Sequence, residues 1–160
     1  MMTPTSPLDL KFETRKGCIP PTKAYVGDAG WDLYVAPPPD EPEKMCYQLQ
    51  EGSILRIWTG VKVTFPFGYH GEIRPRSSSP KHGFFIANAP GTIDPSYTGE
   101  IIILLRRFKL EGTPSTVYVN VGEKIAQLVI TPHYTGGALG GTILHEGVER
   151  GEKGFGSSGQ

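Results

Sequence analysis

Asp94 stands inside GTIDPSYTGE (residues 91–100), where Thr92 and Ile93 read as strand and Pro95, Ser96 and Gly99 supply turn chemistry. Carboxylates are ionised at neutral pH, so one held at a sheet edge can take a proton from water. The same aspartate could equally be a turn initiator that bonds its own backbone. Tyr97, three residues on, is either a strand aromatic or a flat surface for a sugar. Upstream, GEIRPRSSS (71–79) sets Arg76, Ser77 and Ser78 at the end of a strand-like segment. A guanidinium fork with two hydroxyls suits phosphate oxygens, although Pro-Arg-Ser-Ser is also an ordinary polar turn.

Three further segments carry polar groups at unusual places. DAGWDL (28–33) puts Asp28 and Asp32 around a glycine, just before a strand. GEKIAQL (122–128) begins as a turn and becomes an apolar strand, in which Gln127 needs hydrogen-bond partners. The chain closes on RGEKGFGSSG (150–159). GFGSSG formally matches G-x-G-x-x-G, but a dinucleotide fingerprint needs a strand before it and a helix after it, and no Gly-Lys-Ser/Thr follows to make a P-loop. What remains is a strip with Arg150 and Lys153 as cations, Ser157 and Ser158 as hydroxyls, backbone N–H groups around Gly156 and one ring, Phe155. Composition leaves two readings open, an end without fixed structure and a lid that closes over a nucleotide.

The elements that must position these groups are short. Val61, Val63 and Phe65 alternate with Lys62 and Thr64, and Val117, Val119 and Val121 alternate with Tyr118 and Asn120, the period of half-buried strands. Ile101 to Leu105 is an unbroken apolar run, as in a strand buried on both faces. Another apolar stretch runs from Lys124 to Thr131 and stops at Pro132. No window carries a helical repeat, and 21 Gly and 15 Pro punctuate the chain, which points to an all-β sandwich or barrel. PPPDEPEK (37–44) reads as a surface excursion.

Sixteen basic and sixteen acidic residues argue against a general nucleic-acid binder. Cys18 and Cys46 form no disulfide framework or zinc ribbon, and His70, His82, His133 and His145 have no metal-site spacing. No signal peptide and no run of about 20 apolar residues is present, so a soluble, intracellular protein without membrane attachment is expected.

In this order the five segments resemble the trimeric dUTPase family, whose motifs span nearly the whole chain; here they cover residues 28–159. The resemblance implies a jelly-roll-like β domain over residues 1–135, a C-terminal arm over 136–160 that closes on the active site, and a homotrimer with shared sites. It implies hydrolysis of dUTP to dUMP and pyrophosphate, which limits uracil incorporation into DNA and supplies dUMP for dTMP synthesis. Asp94 would activate the water that attacks the α-phosphate. Tyr97 would pack on the deoxyribose and disfavour a 2′-hydroxyl. The hairpin from Asn88 through Gly91, Thr92 and Ile93 would read uracil through main-chain groups. Arg76, Ser77 and Ser78, from a neighbouring subunit, would hold phosphates with Gln127. Asp32 would support the site. Arg150 would grip the γ-phosphate, while Phe155, with Gly156, Ser157 and Ser158, would cover the base. Mg²⁺ would be held mainly by the triphosphate and water, with no direct protein ligand. Lys124 and Lys153 depart from the arginine and glycine common in the family.

Two rivals share the fold. A dCTP deaminase would need a catalytic glutamate ten residues after Asp94, where Leu104 stands. A regulatory binding protein could keep the fold without turnover, with residues 37–44 as its contact surface.

Overall fold

Val61 and Val63 are buried while Lys62 and Thr64 face solvent, so the alternation in the sequence becomes a strand. The computed structural model describes residues 10–108, 111–112, 114–137 and 140. Among them run eleven strands: β1 (Lys11–Thr14), β2 (Gly30–Tyr34), β3 (Cys46–Gln50), β4 (Ile54–Trp58), β5 (Val61–Thr64), β6 (Tyr69–Arg74), β7 (Phe84–Ile86), β8 (Gly91–Ile93), β9 (Ile102–Arg107), β10 (Thr116–Asn120) and β11 (Lys124–Pro132). The only helical element among them is a 3₁₀ turn at Ser79–His82. No helix among the described residues is long and apolar enough to cross a membrane.

All named ladders are antiparallel: β2-β11-β6-β8, β4-β9-β7, β1-β5 and β10-β3. Their inner faces meet in one core, in which Leu33, Leu49, Ile57, Ile73, Ile103, Leu105 and Leu128 are fully buried. Each such side chain contributes roughly 1.5–3 kcal/mol. The result is the all-β, jelly-roll-like architecture expected from the short strands.

Two expectations need adjusting. The apolar run through Leu105 is not buried on both faces: Ile103 and Leu105 point into the core, whereas Ile102 and Leu104 are half-buried. On that outer face Ile54 and Phe85 are exposed, and Phe85 stacks on Phe108. The proline-rich segment is a surface excursion over residues 39–43, but Pro38 is buried and the Pro37 carbonyl accepts a bond from Arg15.

The four-stranded sheet does the positioning. Strand β11 lies between β2 and β6, and its register puts Gln127 opposite Asp32 on one side and Arg74 on the other. Residues opposite each other in antiparallel strands share a face. Leu128 and Ile73 turn inward on the next rung, so three segments remote in sequence present their polar residues together on the outside.

Candidate active site

The end of β6 delivers Arg76 to Asp32. Arg76 Nε donates to Asp32 Oδ1 at 2.9 Å, and Lys124 Nζ reaches Asp32 Oδ2 at 2.7 Å. One carboxylate thus orients two cations. Hydrogen bonding to Asp32, ahead of Coulombic attraction to it, raises the Lys124 pKa above the ordinary lysine value. The turn after Pro75 is built by hydroxyls: the Arg76 N–H donates to Ser79 Oγ at 3.1 Å, and Arg76 Nη1 lies 3.4 Å from Ser78 Oγ. Gln127 Nε2 donates to the Pro75 carbonyl at 2.9 Å, which answers the question of its partner. A Cβ at Gly30 would collide with Gln127 Oε1, so the glycine of DAGWDL lets the amide sit against β2. Asp28, by contrast, caps its own turn, its Oδ2 accepting the Tyr25 N–H at 2.9 Å.

These groups border a cavity of about 320 Å³ lined by Asp28, Gly30, Asp32, Arg76, Ser77 and Gln127. A guanidinium, a hydroxyl and an amide on this polar cleft suit phosphate oxygens, with Asp32 orienting the guanidinium.

Asp94 lies elsewhere. It follows β8, whose Ile93 pairs with Gly71, so Asp94 sits level with the start of β6. It lines a separate cavity of about 180 Å³ with His70, Thr92, Pro95 and His133. Its main-chain carbonyl accepts the Tyr97 N–H at 3.0 Å. No described residue bonds its carboxylate, so the side chain is not a turn initiator and stands exposed. The tyrosine ring is 42% exposed, with its hydroxyl donating to the Glu100 carbonyl at 2.9 Å.

The hairpin before Asp94 is pinned from behind. Asn88 Nδ2 donates to Ile102 O at 3.2 Å, and its Oδ1 accepts the Leu104 N–H at 3.0 Å. The Asn88 side chain is thus committed to β9, leaving main-chain groups to face a ligand. A Cβ at Gly91 would stand 2.5 Å from the Asn88 carbonyl, so the hairpin closes this tightly only with glycine.

The structure therefore brings Asp32, Arg76, Ser77, Ser78 and Gln127 into one cluster, and Asn88, Gly91, Thr92, Ile93 and Asp94 into another, with Tyr97 in the loop beyond. The hairpin end of the second cluster borders the first, since Gly91 pairs with Ile73, one rung from the Arg74–Gln127 pair. Asp94 stands away from Arg76: at about 3.3 Å per residue, the six positions from His70 to Arg76 put roughly 20 Å between those two along the strand direction. Arg150, Phe155, Gly156, Ser157 and Ser158 lie outside the described residues. Sequence reasoning missed Lys124 and Ser79 as site-building residues; the third hydroxyl of the serine run was the available signal for Ser79.

Replacing Lys124 with glutamine should raise KM for the phosphate ligand about two- to fivefold with little change in kcat, since Arg76 still holds one oxygen of Asp32. A raised lysine pKa means the pair is fully formed below the ordinary lysine value and is lost only as pH climbs through the raised one. The effect should therefore be flat from about pH 6 to 9. Steady-state kinetics across that range check both points, and a KM change that grows toward pH 9 would contradict the pairing.

The dUTPase family model matches residues 18–159. The deoxyuridine 5′-triphosphate nucleotidohydrolase of Clostridium novyi is 38% identical, covering 92% of this chain and 95% of that one. The enzyme of the same name from Rickettsia akari is 37% identical, covering 93% of each. Among solved structures, the dUTPase of Staphylococcus bacteriophage 80alpha with dUPNHPP superposes with a TM-score of 0.78 at 26% identity, over 95% of this chain and 99% of that one.

Proposed function

The chain belongs to the dUTPase family, and from that premise we propose that it hydrolyses dUTP to dUMP and pyrophosphate, with Asp94 taking the proton of the attacking water. The observation that carries this reading is the free Asp94 carboxylate, exposed beside a glycine-tightened hairpin and engaged by no described residue. A water held there loses its proton to the carboxylate as its oxygen meets the α-phosphorus. Attack on a phosphoryl centre needs alignment and charge neutralisation more than covalent catalysis. Arg76, Ser77, Ser78 and Gln127 supply these to the triphosphate, and Asp32, itself bonded by Lys124, holds Arg76 in place. Arg150 and Phe155 are assigned to closure of the arm, residues 136–160, over γ-phosphate and base. The activity limits uracil incorporation into DNA and supplies dUMP for dTMP synthesis.

Among the described residues no group of three His, Cys, Asp or Glu side chains is placed to hold a metal ion. We assign Mg²⁺ to triphosphate oxygens and water, the usual manner of this ion. When bound it would neutralise phosphate charge.

The reading requires a second copy of the chain. Groups that serve adjacent phosphates cannot stand roughly 20 Å apart, so the Asp94 of one subunit must meet the Arg76 cluster of another. The exposed apolar face around Ile54 and Phe85 offers contact area for such an assembly. A homotrimer with three shared sites satisfies both.

A deaminase reading fails at Leu104, an apolar β9 residue whose N–H is occupied by Asn88. Pyrophosphate release with Mg²⁺ across dUTP, dTTP, dCTP and UTP tests the proposal. Turnover should be confined largely to dUTP; equal rates on dTTP, or ammonia from dCTP, would refute it.

A further inference from the structure

The loop bearing Asp94 and Tyr97 is tied down at its far end by residues that touch none of the reacting groups. Glu100 closes the loop. Its Oε1 accepts the Gly60 N–H at 2.5 Å and lies 3.5 Å from Arg15 Nη2, while its Oε2 lies 3.4 Å from Arg15 Nε. Arg15 is held in turn: Nη2 donates to the Pro37 carbonyl at 2.7 Å, and its backbone N–H to Gly60 O at 2.7 Å. The peptide that carries the Glu100 carbonyl is held as well by its own N–H, that of Ile101, on Val61 O at 2.8 Å, and the next peptide by Thr59 Oγ1 donating to Ile101 O at 2.8 Å. Tyr97 hangs from this anchor through its bond to the Glu100 carbonyl. Gly99 keeps the path clear, since a Cβ there would collide with the same phenol.

We propose that the Arg15–Glu100 pair is a specificity-determining clamp: together with the Ile101 N–H on Val61 O it fixes the carbonyl from which Tyr97 hangs, and so sets how strictly the site excludes a 2′-hydroxyl on the sugar. The inference rests on the dUTPase reading and adds two positioning residues to it. An apolar surface rejects an added hydroxyl only weakly, by about 10². That rejection depends on close contact, so a ring free to retreat loses most of it. Between residues 94 and 100 the described hydrogen bonds within the loop are those of Tyr97, to the carbonyls of Asp94 and Glu100. Loosening the Glu100 side chain leaves the Ile101 N–H as the remaining tie on that carbonyl, so the ring gains room to shift, while Asp94 stays tied to β6 through β8. The pair is mostly shielded, with side chains 28% and 13% exposed, so solvent screens it less than an open surface pair.

The test is kcat and KM on dUTP and on UTP, with Tm and subunit mass as controls, for wild type, Arg15→Gln, Arg15→Lys, Glu100→Gln, Tyr97→Phe and the Arg15→Gln/Tyr97→Phe double variant. Arg15→Gln should keep kcat on dUTP within about fivefold while the dUTP-to-UTP ratio of kcat/KM falls about tenfold. Arg15→Lys should recover part of the ratio. The double variant should lose no more discrimination than either single one, because both act through one bond. An unchanged ratio in folded Arg15→Gln, or additive losses in the double variant, overturns the clamp. If Arg15→Gln does not fold, Glu100→Gln decides, since its amide oxygen can keep the Gly60 bond while the ion pair is lost; there too an unchanged ratio overturns the proposal. A wild-type protein inert toward dUTP sinks the underlying reading, and the clamp with it.

Discussion

Asp94→Asn will leave the fold and nucleotide binding in place and remove most of the turnover, a loss of about 10²- to 10⁴-fold in kcat, the range of a positioned general base. The substitution changes one atom and no size. The tight turn at this point is closed by the main-chain carbonyl of Asp94, which accepts the Tyr97 N–H, and asparagine keeps that carbonyl. Since no described residue bonds the carboxylate, its loss leaves nothing unpaired in the fold. Stability should therefore move by no more than a few tenths of a kcal/mol, as for a surface substitution away from special features. Thermal unfolding and binding of a non-hydrolysable dUTP analogue check the first half, and pyrophosphate release checks the second. A variant that turns over at the wild-type rate would move the base elsewhere, with His70 and His133 in the same cavity as the groups to examine next. A variant that unfolds would mean the carboxylate has a structural partner.

How much of this was legible beforehand depends on the distance over which each feature is determined. Val61 and Val63 announce a half-buried strand because period two is a local property, and the ladder follows it. Asp32 and Arg76 are 44 residues apart, and only the register of β2, β11 and β6 makes them an ion pair. Lys124 looked like a bystander for the same reason, since nothing local to GEKIAQL says that its ammonium reaches the aspartate of β2. Asn88 belongs to the hairpin expected to read uracil through main-chain groups; that its side chain bonds β9 is visible only once the strands are adjacent. The run through Leu105 reads as buried on both faces because β-branched apolar residues look the same in a core and on an outer face awaiting a partner. The chemistry of the arm was legible only through its resemblance to a family, and Arg150 and Phe155 lie outside the described residues.

The separation of Asp94 from Arg76 leads to the second large effect. Asp94→Asn and Arg76→Ala should each be nearly inactive alone, yet a mixture unfolded and refolded together should recover activity. The geometry dictates the amount. If each site takes Asp94 from one subunit and Arg76 from the next around a closed ring of three, any mixed trimer contains one site with both residues intact. Random assembly at equal amounts makes three quarters of trimers mixed, so about one quarter of the wild-type sites should return. Mixing without unfolding should return less, in proportion to how slowly subunits exchange. A site built within a single subunit makes the opposite forecast, because each chain then carries one lesion and no arrangement repairs it. Recovery near zero, with mixed trimers demonstrated by differential tagging, would place Asp94 and Arg76 on one chain. It would require the strand to fold back over the roughly 20 Å that the β6 register sets between them.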